Sequence, residues 1–289
     1  MADELRRRYL AQQAELGGNE VILPAARVRP AAEDTDVAGK KAGRGARRDS
    51  APAKVHGDKP GKAASAKAEA KDGKAGGKSW RDGAPGIPGP GLDIVTDDLL
   101  LENEFRSLPT LAAVADMIAG CPRCSLAETR TRTVPGEGNP KARLLLIGEG
   151  PGATEDQTGR PFVGQAGQLL DKILESIEMP RETVFITNIV KCRPPQNRKP
   201  LPDEMAACLP YLRRQIELLK PGVIIAMGGT AAEGMLGVKK GLGELRNKVH
   251  TYNGIPLVVT YHPAALLRNP NWKKPTWDDV RIARQLLDR

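Results

Sequence analysis

The sequence predicts an α/β fold, a parallel sheet held between layers of helix. Three observations carry this. Four short, nearly continuous apolar runs recur along the chain: residues 142–148 "ARLLLIG", 183–190 "TVFITNIV", 223–228 "VIIAMG" and 256–262 "PLVVTYH". Runs of this length without polar alternation mark strands covered on both faces. The segments between them carry helical periodicity or helix punctuation. Polar residues then gather just past the carboxyl ends of the runs, where open α/β sheets bind ligands.

Taken in order, the chain of 289 residues begins with a tail. Residues 25–95 are rich in Ala, Gly, Lys, Asp and Pro, and the piece "KKAGRGARRDSAPAKVHGDKPGKAASAKAEAKDGKAGGK" holds a single valine. Such a stretch buries too little apolar surface to offset its ordering entropy. Residues 1–98 are therefore expected to be a basic, mostly disordered tail, with "DELRRRYLAQQAEL" as a short helix within it. Residues 99–289 are expected to form one folded domain, which deletion of residues 1–95 leaves intact. Residues 1–90 hold 18 Lys+Arg against 12 Asp+Glu, so +6 of the net +9 lies there. A basic arm of this kind can hold phosphate backbone without sequence preference, or serve only as a solvated linker. No 18-residue apolar run is present, so no membrane span is expected. Residues 1–30 lack a signal peptide's apolar block, and a cytoplasmic chain is expected.

In the domain, residues 164–177 place Leu169, Leu170, Ile173, Leu174 and Ile177 on one helical face. A second helix over 203–220 follows Pro202 and stops at "KPG". Thr230 is expected to cap "AAEGML", and Thr276 the last helix, with Asp278 and Asp279 near its positive end.

At the strand ends, "GEGPG" follows the first run, Asn188 ends the second, "GGT" follows the third and His262 ends the fourth. Turn glycines account for "GGT" but not for Glu149 or His262. Four cysteines, Cys121, Cys124, Cys192 and Cys208, form a C-x-x-C pair followed by two singles. That is a four-thiolate metal pattern, and spacing leaves zinc and an iron–sulfur cluster both open. Arg130, Arg132, Lys191, Arg193, Arg198 and Lys199 lie near the cysteines in sequence, a phosphate-contacting surface if exposed.

Together "GEGPGATED", "GRPFVGQAG", "TNIVKCRPP", "YHPAALLR" and the cysteine pattern resemble the family 4 uracil-DNA glycosylases, over roughly residues 111–289. The resemblance implies a three-layer αβα sandwich with a four-stranded parallel sheet. It implies a [4Fe–4S] cluster on Cys121, Cys124, Cys192 and Cys208, and hydrolysis of uracil from single- or double-stranded DNA. A monomer without a membrane partner, nucleoid-associated when on DNA, is also expected. The stretch "KCRPPQNRKP" lacks the histidine through which one branch of the superfamily crosslinks to abasic DNA, so ordinary hydrolysis is expected.

The chemistry assigns provisional roles. Breaking N1–C1′ builds positive charge on the sugar and negative charge on the base. A carboxylate is needed at the first, with Glu149 the leading candidate and Glu155 the second. A donor is needed at uracil O2, for which His262 is the candidate. Gly150 brings backbone N–H close to the base, Phe162 offers a stacking face and Asn188 matches the uracil edge. Glu155 or nearby backbone can also wall off the thymine methyl. Leu266 is the expected wedge into the vacated stack and Arg268 a phosphate contact. A non-enzymatic, metal-stabilised DNA-binding module would leave Glu149 and Asn188 dispensable. A phosphate-loop enzyme would need a lysine that "GEGPGATEDQ" lacks.

Overall fold

The computed structural model describes residues 79–96 and 103–289. The short helix expected at residues 3–16 and nearly all of the tail lie outside the described residues. Seven strands form one sheet: β1 (Pro90–Ile94), β2 (Glu137–Gly138), β3 (Leu144–Gly148), β4 (Phe185–Asn188), β5 (Val223–Met227), β6 (Val249–Tyr252) and β7 (Ile255–Thr260). Their order is β1-β6-β7-β5-β3-β4-β2. The described helices are α1 (Asn103–Arg106), α2 (Leu111–Ala119), α3 (Leu126–Thr129), α4 (Ala153–Thr158) and α5 (Gln165–Ser176). They continue with α6 (Pro202–Leu219), α7 (Gly229–Leu236), α8 (Leu242–Leu245), α9 (Pro263–Arg268) and α10 (Lys273–Leu287).

The four apolar runs are β3, β4, β5 and β7, adjacent and mutually parallel at the centre of the sheet. All five residues of β3 are buried, as are all five of β5. Successive side chains point to opposite faces. Leu145 and Ile147 pack with α2, α6 and α7, whereas Leu144 and Leu146 pack with α5 and α10. Helices therefore cover both faces. Full burial of one such leucine stabilises the fold by about 1.5–3 kcal/mol.

The expected four-stranded parallel sheet is too small and too uniform. The sheet is mixed, because β6 runs antiparallel to β7 and β2 antiparallel to β4. The β6–β7 hairpin turns at Asn253 and Gly254, both with positive φ (47° and 77°), the backbone a two-residue hairpin requires. The letters "YNGI" signal that turn. β2 has only two residues, too few for any pattern. β1 is an edge strand that opens on Pro90, where a missing N–H does least harm.

The tail boundary at residue 98 is likewise corrected. Residues 79–96 belong to the fold. Trp80 is 3% exposed and packs with Leu144, Val280 and Ile282. The guanidinium of Arg284 lies 5.0 Å from its ring centre. Arg281 donates to the Asp82 carbonyl and Gln285 to that of Pro85, strapping the segment to α10. Buried His250 accepts the Leu92 N–H at Nδ1, joining β1 to β6. Composition hid this because one tryptophan and five strand residues are diluted in a Pro- and Gly-rich stretch.

Both proposed threonine caps are also displaced. α7 starts at Gly229, and α10 starts at Lys273. The Thr276 hydroxyl folds back onto the Trp272 carbonyl. Asp279 is buried and held by Arg246 and Thr260 rather than by the helix terminus.

Trp80→Ala is expected to cost about 3 kcal/mol of unfolding free energy, in the range for buried aromatic truncation. Truncation at residue 79 is expected to leave the denaturation midpoint near that of the full chain, and truncation at residue 97 to lower it. Denaturant unfolding of the three proteins checks this.

Candidate active site

The carboxyl ends of β3, β4 and β7 surround a cavity of about 380 Å³. Glu149, Gly150, Glu155, Phe162, Asn188 and His262, all expected site residues, line it. Volume on this scale suits one small planar ligand. Gly148 brings the walls together. A Cβ there would lie 2.4 Å from Asn188 Oδ1 and 2.5 Å from Phe162 Cζ, so only glycine fits. The Asn188 side chain is 1% exposed, and its Oδ1 has no hydrogen-bond partner among the described residues. A buried acceptor left unpaired costs about 1–3 kcal/mol, which a ligand's N–H recovers.

Phe162 forms part of the cavity wall with φ +51°, a left-handed backbone that bulky residues rarely adopt and that costs on the order of 1–3 kcal/mol. Its ring lies 5.3 Å from that of His262. The turn is held on one side by Glu155, whose Oε1 accepts the N–H groups of Val163 and Gly164, both at 2.9 Å. Gly164 caps α5 without a side chain of its own, and Glu155 pins the backbone just ahead of that helix.

Glu149 has a different partner. Its Oε2 accepts from the Thr230 hydroxyl at 2.5 Å. Thr230, expected to be a helix cap, instead orients this carboxylate. Its buried position in the first turn of α7 makes the contact possible, and sequence carried no sign of it. His262 caps α9, with Nδ1 accepting the Ala264 N–H at 3.2 Å. That bond assigns the neutral tautomer and leaves the proton on Nε2 as a donor. Burial pulls the His262 pKa down from 6.5 to about 4, and Arg268 pushes the same way, while Glu155 opposes them.

The four cysteines border one small cavity together with Arg130, Lys191 and Tyr211. Arg130 donates to Cys192 Sγ at 3.3 Å and the Lys191 N–H to Cys208 Sγ at 3.3 Å. Burial pushes the Cys208 thiol up to about 12 and the Cys124 thiol up to about 11. Bare thiolates are thus disfavoured, and a bound metal centre is what such a set of sulfurs suits. Four cysteines bordering one cavity are a donor set that either zinc or an iron–sulfur cluster uses.

Residues 135–283 match the model of the uracil DNA glycosylase superfamily. The chain is 44% identical over 189 residues to a type-4 uracil-DNA glycosylase of Saccharolobus solfataricus, aligning 62% of the chain with 88% of that protein. It is 46% identical over 180 residues to the type-4 enzyme of Thermotoga maritima, 61% of the chain with 94% of that protein. A type-5 uracil-DNA glycosylase of Thermus thermophilus is 34% identical over 178 residues, 54% of the chain with 81% of that protein. The chain belongs to the type-4 uracil-DNA glycosylase family.

In this type-4 chain two of the expected DNA contacts point inward. Lys191 is 1% exposed, and its Nζ donates to Thr187 Oγ1 and the Asn188 carbonyl. Burial pulls that ammonium down to about 8, with Cys208 and Cys192 pulling the other way. It braces the end of β4 and is absent from the surface. Leu266 is also 1% exposed, because helical spacing turns it inward, while its neighbour Leu267 is 47% exposed. The remaining basic residues differ among themselves. Arg130 is turned toward the cysteines. Arg193 donates to Asn197, and Arg198 makes two bonds to the buried Glu204 carboxylate. Lys199 pairs with Glu233. Arg132 and Arg268 are exposed, Arg268 at the cavity's edge. No described helix is long and apolar enough to cross a membrane.

Because the folded His262 pKa is depressed, the neutral donor persists until the pH falls toward 4. Excision by this type-4 chain is expected to stay flat through pH 6.5 and decline only as pH approaches 4. The linkage has the same direction: stability due to neutral His262 is full above 6.5 and lost as pH falls toward 4. Single-turnover rates across pH 4–8 check the first, and a half-maximal rate near 6.5 would contradict it.

Proposed function

We propose that this chain hydrolyses the N-glycosidic bond of uracil in DNA, leaves an abasic site and so starts base excision repair. The observation that carries the reading is the buried, unpaired Asn188 Oδ1 in a base-sized cavity shared with the Nε2–H of His262. Uracil offers an N3–H to that oxygen and an O4 to the Asn188 amide. Cytosine reverses both and leaves buried groups unpaired, a form of rejection that discriminates strongly. Phe162 stacks on the flipped base, and backbone at Gly150 borders it.

The target nucleotide leaves the stack first. As N1–C1′ breaks, the electron pair goes to the base, and His262 donates from Nε2 to the negative charge growing at O2. The Glu149 carboxylate faces the positive charge growing on the sugar and accepts a proton from the water that attacks C1′. Thr230 keeps it in that orientation. Glu155 serves by holding the Phe162 turn through the N–H groups of Val163 and Gly164. Leu267 fills the vacated space in place of Leu266. Arg268 and Arg132 meet phosphate, with Arg193 and Arg198 at the rim. DNA in either strand form is the partner, and the chain acts as a monomer in the cytoplasm.

Cys121, Cys124, Cys192 and Cys208 hold a [4Fe–4S] cluster, and when bound it supplies a crosslink among loop, strand end and helix. Anaerobically purified protein is expected to be brown and to contain iron. Stoichiometric zinc without iron would sink this assignment.

Uracil release from single-stranded and duplex oligonucleotides tests the function. Asn188→Asp is expected to slow release by two or more orders of magnitude, about 3 kcal/mol at the transition state. Glu149→Gln is expected to lose activity with base choice unchanged. A purely DNA-binding protein would release no uracil and would tolerate both changes.

A further inference from the structure

Phe162 bears on the base from a strained backbone, so something must hold it there. Its N-terminal neighbour and its own carbonyl face a single side chain. Arg181 donates from Nη1 to the Phe162 carbonyl at 3.0 Å and from Nη2 to the Pro161 carbonyl at 2.5 Å. The same guanidinium is held in turn by Asp171 of α5 at 3.1 Å and lies 3.7 Å from Glu137 of β2. Its side chain is 18% exposed. Arg181 stands in the 3-10 turn Arg181–Thr183 that leads into β4, the strand ending on Asn188. One residue thus links the base-reading strand to the stacking turn.

The turn has no slack elsewhere. Glu155 fixes the N–H groups that follow Phe162. A Cβ at Gly167 would lie 1.8 Å from the Phe162 carbonyl oxygen, so α5 presses directly on the same group. A planar fork with several donors suits two adjacent carbonyls in a way that a single ammonium does not.

We propose that Arg181 is a positioning residue for base recognition, holding Phe162 in its left-handed backbone so that the ring meets the flipped uracil. The proposal rests on the uracil-excision reading above. Arg181 touches neither base nor sugar and acts only through Phe162. Without the fork, the two carbonyls lose their donors and the turn relaxes toward ordinary backbone, carrying the ring out of register with Asn188.

The test is a double-mutant cycle between Arg181→Gln and Phe162→Leu, read by single-turnover release of uracil from a single-stranded oligonucleotide. Arg181→Gln alone is expected to slow release about 30-fold, whereas in the Phe162→Leu background it costs less than about 3-fold, the coupling expected of two residues acting as one. Inhibition by free uracil is expected to weaken in parallel, while binding of uracil-free DNA stays unchanged. Arg181→Lys, which reaches one carbonyl, is expected to restore part of the rate. It carries the cycle should the glutamine variant fail to fold, with a loss of about 5-fold that vanishes when Phe162 is leucine. Asp171→Asn removes the ion pair and spares the carbonyl bonds, and is expected to stay near the parent. Equal losses in both Phe162 backgrounds, an unchanged Arg181→Gln rate, or an Asp171→Asn loss as large as that of Arg181→Gln would each overturn the proposal. A parent chain that releases no uracil from any oligonucleotide would defeat the function itself.

Discussion

The site depends on how closely β3 runs past the groups that read a base. At Gly148 there is no room for even a methyl, since Asn188 Oδ1 and the Phe162 ring already occupy the space. That approach buries the Asn188 oxygen and leaves it unpaired within the protein. The fold therefore holds an uncompensated acceptor in a cavity where other polar side chains are fixed by the protein. Thr230 holds Glu149, and two backbone N–H groups hold Glu155. Ala264 fixes one nitrogen of His262. Preorganisation of this kind needs no rearrangement when charge develops.

Charged side chains near the site serve mostly inside the protein. Lys191 braces the strand end beneath Asn188, and Arg130 is turned onto Cys192. Arg198 and Glu204 tie the loop after Cys192 to the start of α6, while Ser125, beside Cys124, bonds the same carboxylate. The cysteine region and the base-reading strand are in this way one continuous body. A positive charge count near a motif says nothing of where each charge points. Burial of Lys191 is tolerable because the Thr187 hydroxyl and the Asn188 carbonyl both accept from its ammonium.

The sheet shows which patterns survive in sequence. The four central strands are buried on both faces, so their letters are continuously apolar and legible. Of the three flanking strands, β1 and β2 are edges and β6 lies between β1 and β7, and all three carry polar or glycine-rich letters. β1 lies within a stretch whose composition elsewhere argues against any fold. Its place is decided by His250 and by Trp80 against α10, contacts more than 150 residues away in sequence. Leu266 and Leu267 differ in exposure for a related reason. Adjacent leucines in a helix point about a quarter-turn apart, and only packing determines which one faces outward.

The sequence by itself determined the α/β class, the central strands, the gathering of Glu149, Asn188 and His262 at one sheet edge, and the cysteine set. Those features are local, because runs, caps and motif spacings are written in neighbouring letters. Only the tertiary structure decided that Thr230 orients Glu149, that Glu155 closes a turn and that Arg181 clamps it. It also decided which way the proton sits on His262. Each of these depends on a hydrogen bond between segments brought together by the sheet, and such a bond leaves no trace in local pattern.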